Sequence, residues 1–183
     1  MPSHEIVIAG FGGQGVLFLG EVLARAGMHE GREVTWLPSY GPEQRGGTAN
    51  CTVVISDEPI GSPVVADPSI LIVLNRPSLD RFEPQVRPGG VIVYDSTMVT
   101  RAPIRTDISV VAVPATAVAS GLGSTRAANV VLLGALLVMR PVVTMATARA
   151  VLDEMVADPE VRVCNAAALE RGARETTAVA QPA

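Results

Sequence analysis

The sequence predicts an α/β fold built around a mainly parallel β-sheet, and three observations support this prediction. Six short runs rich in Val and Ile lack the polar alternation of half-exposed strands. Such runs are typical of strands covered on both faces, which occur mostly in parallel sheets. Helical segments separate several of these runs, as in βαβ units. The 183 residues fit one domain. We place it over residues 1–175, with a disordered tail at 176–183.

The six strands are predicted where β-branched residues cluster between turn-forming residues. Their ranges are 5–10, 33–38, 51–56, 70–75, 91–95 and 108–114.

Four helices are predicted from apolar spacing and from residues that end a helix. Their ranges are 14–30, 126–140, 147–157 and 166–175. In the first helix, Val16, Leu19 and Leu23 recur at spacings of three and four and form one apolar stripe. In the second helix, the small residues Gly134 and Ala135 predict close packing against the sheet or a partner.

The composition restricts the chemistry that this chain can perform. All 14 basic residues are arginine, since the sequence contains no lysine, and His4 and His29 are its only histidines. The lack of lysine excludes Schiff-base catalysis and a phosphate-binding lysine of the Walker type. Two histidines cannot form a His-rich metal site. We therefore assign no catalytic residue and no metal ligand to this chain.

Charge and cysteine usage predict a cytoplasmic protein that binds neither nucleic acid nor a membrane. The net charge is −4, whereas a nucleic-acid surface needs a concentrated basic field. Cys51 and Cys164 form no CxxC pair, which argues against zinc and iron–sulfur sites and for two reduced thiols. The longest apolar run, residues 127–139, is too short to cross a bilayer, and the N-terminus does not resemble a signal peptide.

A glycine-rich turn follows the first predicted strand and opens the first helix. Its sequence, GFGGQG at residues 10–15, satisfies the G-x-G-x-x-G pattern of dinucleotide-binding folds. In that context, backbone N–H groups at the helix start face an anion. The candidate cofactor contacts in this turn are Gly10, Gly12, Gly13, Gln14 and Gly15.

The ribose-binding half of this pattern is missing. It requires an acidic residue at the carboxyl end of the second strand, where Ser39 and Tyr40 stand instead. Glu33 lies at the opposite end of that strand. The turn is therefore consistent with an anion or pyrophosphate site but not with a free-standing NAD enzyme. A turn that only joins strand to helix explains the glycines equally well.

Residues 39–50 form a predicted loop that is longer than a plain connection requires. It follows the carboxyl end of a strand, the edge where open α/β sheets bind ligands. The candidate ligand or interface residues here are Tyr40, Gly41, Glu43, Arg45, Gly46, Gly47 and Thr48. An arginine such as Arg45 can hold a phosphate or carboxylate through two parallel hydrogen bonds. The alternative is a solvated loop in which Glu43 and Arg45 pair weakly.

The loop at residues 57–63 is stiffened by two prolines and contains the apolar Ile60. An exposed Ile60 on a rigid loop would suit a protein partner. The alternative is that this side chain packs beneath the edge of the domain.

Three segments of the sequence together resemble the gamma subunit of 2-oxoacid:ferredoxin oxidoreductases. They are residues 10–16 (GFGGQGV), 38–48 (PSYGPEQRGGT) and 56–63 (SDEPIGSP). The likeness continues through residues 75–78 (NRPS) and the helix that contains Asn129, so it spans most of the chain to about residue 140. Three long motifs in the same order are more specific than the glycine pattern alone.

The resemblance implies a Rossmann-like three-layer domain within a larger enzyme. Enzymes of this family act on pyruvate, 2-oxoglutarate or ketoisovalerate. They decarboxylate the 2-oxoacid on thiamine diphosphate, form an acyl-CoA, and pass electrons through iron–sulfur clusters to ferredoxin. Thiamine diphosphate, Mg and the clusters are expected on alpha, beta and ferredoxin-like delta subunits, with CoA as co-substrate. This chain is expected to hold none of these groups alone and to be inactive alone.

Our mechanistic hypothesis is that the turn at 12–15 and Arg45 receive an anionic part of CoA or close the subunit interface around it. Two alternatives come from other functional classes. One is a stand-alone Rossmann-type nucleotide-binding or regulatory protein. The other is a subunit that serves assembly only. The sequence leaves the identity of the 2-oxoacid open.

Overall fold

The structure, a computed structural model, describes residues 3–40 and 47–179. Its strands are β1 (His4–Phe11), β2 (Glu33–Tyr40), β3 (Thr48–Ser56), β4 (Ile70–Val73), β5 (Val91–Asp95) and β6 (Ser109–Val113). Its helices are α1 (Val16–His29), α2 (Arg76–Phe82), α3 (Ala115–Gly121), α4 (Ala128–Met139), α5 (Met145–Met155) and α6 (Pro159–Val179). Short 3₁₀ turns at Glu83–Gln85 and Thr125–Ala127 follow α2 and precede α4.

The six strands form one sheet with the order β2-β3-β1-β4-β5-β6. The pairs β1–β4, β4–β5 and β5–β6 are parallel, whereas β3 runs antiparallel to both β1 and β2. The predicted α/β class and mainly parallel sheet are therefore confirmed, with β3 as the exception. Residues 41–47 are too few for a crossover to a parallel strand, which needs about a dozen residues or more, so β3 must return antiparallel.

The sheet is covered unequally on its two faces. The larger core lies between one face and helices α1, α4, α5 and α6, and the smaller core lies between the other face and α2. In β4, alternate residues serve the two cores: Ile70 and Ile72 face the larger one, and Leu71 and Val73 the smaller one. The fold therefore has three layers. The expectation that every strand is covered on both faces was wrong, because Leu37 in the edge strand β2 is 43% exposed.

Two short helices were missed by the sequence patterns, and the last helix is longer than predicted. Both α2 and α3 have seven residues, too few to show a clear helical period. The last helix, α6, extends beyond the predicted 166–175 at both ends. Thr176 is buried and donates its hydroxyl to the Gly172 carbonyl at 3.0 Å, so residue 176 belongs to α6, and the disordered tail stays a prediction.

Helix α4 is buried along nearly its whole length and is the most apolar helix of the fold. Its predicted small-residue contact is formed with α6, where Gly134 lies against the backbone of Leu169. Gly134 therefore makes its close approach to α6 within the chain, while α4 also packs against strands β5 and β6 of the sheet, as predicted. Among the described residues, no helix has the length and apolarity needed to cross a membrane.

Candidate functional site

The glycine turn lies at the carboxyl edge of the sheet, directly after β1. From β1 the chain passes through α1 to β2 on one side, and β4 lies on the other side of β1. This change of direction is the place where open α/β sheets form a ligand crevice. Gly13 and Gly15 have φ angles of 94° and 75°, in the left-handed region that favours glycine. The sequence therefore located the turn and its position correctly.

The side chain of Gln14 fastens this turn to the neighbouring strand. Its Oε1 accepts hydrogen bonds from the Phe11 N–H at 2.7 Å and from Asn75 Nδ2 at 3.1 Å. Its Nε2 donates to the Leu74 carbonyl at 3.1 Å. Asn75 also caps α2 by accepting the Ser78 N–H at 2.9 Å. Gln14, which the sequence suggested as a ligand contact, thus uses its amide to hold the turn in place.

Asn129 holds the other end of the turn from the first turn of α4. Its Nδ2 donates to the Gly15 carbonyl at 3.0 Å, and its Oδ1 accepts the Val130 N–H at 2.9 Å. A Cβ at Gly15 would lie 2.3 Å from Asn129 Nδ2, so this contact requires glycine. At Gly13, by contrast, a Cβ would meet nothing within 4 Å. The turn therefore faces the protein at Gly15 and open space at Gly13.

The loop between β2 and β3 meets the glycine turn. The Gly12 N–H donates to the Gly47 carbonyl at 3.1 Å, and Phe11 pairs with Thr48 in the β1–β3 ladder. The strands extend further than predicted, so Tyr40 ends β2 and Thr48 begins β3. Two regions that are distant in the sequence thus share one edge of the sheet.

Several predicted residues of that loop cannot be placed. Gly41, Glu43, Arg45 and Gly46 lie outside the described residues, as does the side chain of Tyr40. Their roles as ligand or interface residues stay predictions.

Ile60 in the next loop is half-buried. This agrees more closely with packing at the domain edge than with full exposure. Its role in binding a partner stays a prediction.

A cleft of about 550 Å³ opens beside the glycine turn. The turn, the segment before α4, and the start of α6 form its walls. The polar or charged lining residues are Ser124, Arg126, Asn129, Asp158, Glu160 and Asn165. The apolar lining residues include Phe18, Leu122, Val156 and Val161. The cleft therefore combines apolar walls with a few polar groups, as ligand sites commonly do.

A second cavity of about 280 Å³ lies on the other side of the turn, and Gly13 and Arg126 border both cavities. Arg126 is exposed and, within the described residues, forms no ion pair. Among the described residues, Arg126 is the cation that borders both cavities beside the glycine turn. The sequence did not reveal it because Arg126 belongs to a short 3₁₀ turn more than a hundred residues away.

Asp95 ends β5 at the same edge of the sheet, but its carboxylate is used within the protein. It accepts the Thr97 N–H at 3.0 Å and both the N–H and the hydroxyl of Thr116, the hydroxyl at 2.5 Å. Asp95 is fully buried and organises the start of α3. These contacts explain why an acidic residue stands at this edge of the sheet without requiring a ligand.

The two thiols differ in their surroundings. Cys51 is buried in the larger core, and loss of solvent raises the pKa of its thiol to about 12. Cys164 is partly exposed and lines the cleft. Within residues 3–40 and 47–179, no group of three or more His, Cys, Asp or Glu side chains is placed to hold a metal ion.

Replacing Gln14 with Leu tests whether this side chain holds the turn. The substitution leaves the Phe11 N–H, the Leu74 carbonyl and Asn75 Nδ2 without their hydrogen bonds to Gln14, which is expected to cost about 2–3 kcal/mol. For a chain of this length, the midpoint of thermal unfolding then falls by roughly 4–12 °C. Gln85→Leu is the matched control, since Gln85 is exposed and makes one side-chain hydrogen bond. Equal midpoints for the two variants would contradict the role of Gln14.

Comparisons with known proteins agree with this architecture. A family model described as pyruvate ferredoxin/flavodoxin oxidoreductase matches residues 5–175. A ketoisovalerate oxidoreductase subunit from Methanothermobacter thermautotrophicus is 50% identical over 138 residues, which cover 75% of this chain and 28% of the relative. The chain thus spans less than a third of the length of that curated relative.

Two solved structures are similar over nearly the whole chain. The gamma subunit of a keto/oxoacid ferredoxin oxidoreductase from Geobacter sulfurreducens has a TM-score of 0.87 and 28% identity, with 97% of this chain and 98% of that one covered. A 2-oxoglutarate:ferredoxin oxidoreductase from Magnetococcus marinus, solved with 2-oxoglutarate, coenzyme A and succinyl-CoA, has a TM-score of 0.90 and 25% identity. There the match covers all of this chain and 32% of the other.

The family match extends from β1 almost to the end of α6 and includes the glycine turn, the β2–β3 connection and the cleft. The motifs that suggested the resemblance therefore lie within one matching domain. Because the family model matches residues 5–175, the chain belongs to the pyruvate ferredoxin/flavodoxin oxidoreductase family.

Proposed function

We propose that this chain serves as the gamma subunit of a cytoplasmic 2-oxoacid:ferredoxin oxidoreductase. The complex would convert a 2-oxoacid to an acyl-CoA by thiamine-dependent oxidative decarboxylation. Alpha and beta subunits, with a ferredoxin-like delta subunit, would carry the thiamine diphosphate, Mg and iron–sulfur clusters. The similarity to a solved gamma subunit over almost its full length supports this role.

Within that complex, the proposed task of this chain is to position CoA. The hydrogen bond from the Gly12 N–H to the Gly47 carbonyl is the observation that carries the proposal. It fixes the glycine turn beside the connection that contains Arg45, at the edge where the cleft opens. The Magnetococcus marinus enzyme, to which this chain is similar, has CoA bound in its solved structure, which supports CoA as the ligand.

The site is suited to electrostatic positioning rather than to proton transfer. Gly15 caps α1 without a side-chain hydrogen bond, so the start of the helix offers backbone N–H groups to an anion. Arg126 adds a positive charge beside the turn, and Arg45 is the second candidate cation. Positioning by backbone amides and arginine requires no titrating base. The acid–base chemistry would then belong to the thiamine-bearing subunits.

Replacing Arg45 with Ala in the assembled complex tests this role. Loss of a charge-assisted contact to a phosphate is expected to weaken the apparent affinity for CoA by about 10- to 100-fold. The measurement is the CoA dependence of 2-oxoacid oxidation by the purified complex, with subunit composition checked by gel filtration. Arg174→Ala is the control, because Arg174 is highly exposed on α6 and, in the part of the chain that the structure describes, forms an ion pair with Glu170 alone.

Unchanged CoA affinity together with unchanged assembly in the Arg45→Ala complex would contradict the positioning role. The subunit role has a separate test, affinity purification of the tagged chain from its native cell. Larger thiamine-binding and iron–sulfur subunits are expected to co-purify. A chain that purifies alone and binds a dinucleotide tightly would favour a stand-alone nucleotide-binding protein.

A further inference from the structure

Two buried asparagines line the cleft, and only one of them is satisfied by the protein. Asn129 and Asn165 are 3% and 6% exposed. Both polar atoms of Asn129 are hydrogen-bonded, to the Gly15 carbonyl and the Val130 N–H. The side-chain amide of Asn165, by contrast, has no hydrogen-bond partner within the described part of the chain. The amide of Asn165 is therefore the one available to a molecule in the cleft.

A buried side chain with this chemistry requires an explanation. Large polar side chains away from solvent are nearly always hydrogen-bonded, because an unmade bond costs free energy. Among the described residues, Trp36 Nε1 is the buried side-chain nitrogen or oxygen that lacks a partner, so the amide of Asn165 is not sealed in the core and keeps contact with the open cleft. Its amide can donate and accept at once. A ligand group can therefore pair with it through an acceptor, through a donor, or through both.

The rest of the cleft restricts where such a ligand can place its charge. Gly13, Gly15 and Arg126 lie at one part of the lining, and the carboxylates of Asp158 and Glu160 lie near the start of α6. An anionic group is attracted to Arg126 and the start of α1 and repelled by the two carboxylates. The apolar side chains of Phe18, Leu122 and Val161 suit an uncharged portion of the ligand.

We infer that Asn165 contacts the ligand directly. Its amide would form a hydrogen bond with a polar group of the same molecule whose anionic group lies at Arg126. This inference rests on the proposed function and extends it to a second contact region for CoA. Two parts of CoA can pair with this amide. An amide of the pantetheine arm offers either its N–H or its C=O, which point in opposite directions, whereas the edge of the adenine ring presents a donor beside an acceptor. Arg126 holds the anion, and Asn165 pairs with one of these groups.

The substitution Asn165→Leu separates a ligand role from a structural one. It removes an amide that has no protein partner, so the thermal unfolding midpoint of the full chain is expected to stay the same or to rise. Asn129→Leu is the comparison, because it leaves the Gly15 carbonyl and the Val130 N–H unpaired and should lower the midpoint. In the assembled complex, Asn165→Leu is expected to weaken CoA binding about tenfold.

Calorimetric titration of the complex with three probes identifies the group that is recognised. The probes are CoA, pantetheine and adenosine 3′,5′-bisphosphate. If Asn165 pairs with an amide of the arm, the variant loses affinity for CoA and pantetheine but not for the bisphosphate. If it pairs with adenine, the loss is shared by CoA and the bisphosphate. Either pattern supports the inference and names the group.

Two results would overturn the inference, and they are distinguishable. Equal CoA affinity in wild type and Asn165→Leu would refute the role of Asn165 and leave the proposed function intact. Failure of CoA to bind the wild-type complex would refute the proposed function itself, and the inference with it. A lower unfolding midpoint with unchanged CoA affinity would assign Asn165 to the core instead.

Discussion

Gly172→Ala is expected to lower the free energy of unfolding by about 3 kcal/mol, among the largest single-residue effects in this fold. Gly172 lies on α6 where that helix crosses α4. A Cβ there would lie 1.8 Å from the carbonyl oxygen of Val131 and 2.7 Å from its carbonyl carbon. These are backbone atoms, which a change of rotamer cannot move, so the two helices must separate.

Gly134 makes the reciprocal contact from α4. A Cβ at this position would lie 2.0 Å from the Leu169 carbonyl oxygen and 3.0 Å from the Ala173 nitrogen. Gly134→Ala is therefore expected to lower the free energy of unfolding as much as Gly172→Ala does. At both positions, the steric overlap outweighs the helix propensity of alanine, which exceeds that of glycine by about 1 kcal/mol. The loss from either substitution corresponds to a fall of roughly 6–12 °C in the unfolding midpoint.

Gly121→Ala is the matched control for both substitutions. Gly121 lies in α3, and a Cβ there would meet nothing within 4 Å. The thermal unfolding midpoint of Gly121→Ala should stay unchanged or rise slightly, because only helix propensity and the entropy of the unfolded state change. Circular dichroism at rising temperature measures all three variants. Midpoints for Gly134→Ala and Gly172→Ala that equal the control would show that the helices are not in such close contact.

These two glycines show how far the sequence can predict a helix packing. The composition of α4 marked Gly134 as a position of close approach. Apolar periodicity reveals that a face is buried but not which element covers it, so the sheet or a partner was expected where α6 lies. Gly172 was not predicted to lie at a helix contact because it stands in the charged stretch ERGARE at residues 170–175, which shows no apolar stripe.

In the candidate site, too, the sequence predicted local features but not the contacts between segments that are distant in the chain. The glycine turn and its edge of the sheet were predicted correctly, since local spacing determines a strand, a turn and a helix start. Arg126 and Asn165 were missed because they reach the cleft from elements far along the chain. A motif does not show where a side chain points, so the hydrogen bonds that Gln14 makes within the protein were not predicted, and its role as a ligand contact stays a prediction. Its hydrogen bond to the Leu74 carbonyl depends on the residue that follows β4, which is far away in the sequence.

Gly15→Ala is expected to be the most damaging substitution within the glycine turn. Alanine at a φ of 75° costs about 1–2 kcal/mol. Its Cβ would also displace Asn129, whose Nδ2 would be 2.3 Å away, and so break the bond to the Gly15 carbonyl. A lost buried hydrogen bond adds about 1–3 kcal/mol. The two contributions add to about 2–5 kcal/mol, measured as the change in the free energy of urea unfolding.

Gly13→Ala separates the two contributions to this loss. Gly13 has a φ of 94°, so alanine has a similar conformational cost there, but its Cβ would meet nothing within 4 Å. The loss at Gly13 should therefore be about 1–2 kcal/mol, without the second contribution. If Gly13→Ala and Gly15→Ala destabilise the chain equally, the contact between Gly15 and Asn129 does not constrain the turn.

The double variant Gly15→Ala/Asn129→Ala completes the test. Removing the Asn129 amide removes the group that the new Cβ would meet, so the double variant should lose less than the sum of the two single losses. Residues in contact are the ones for which such non-additivity is expected. A strictly additive result would mean that strain at a positive φ alone explains the loss at Gly15. A smaller combined loss would establish that α4, through Asn129, fixes the start of α1 at the edge of the cleft.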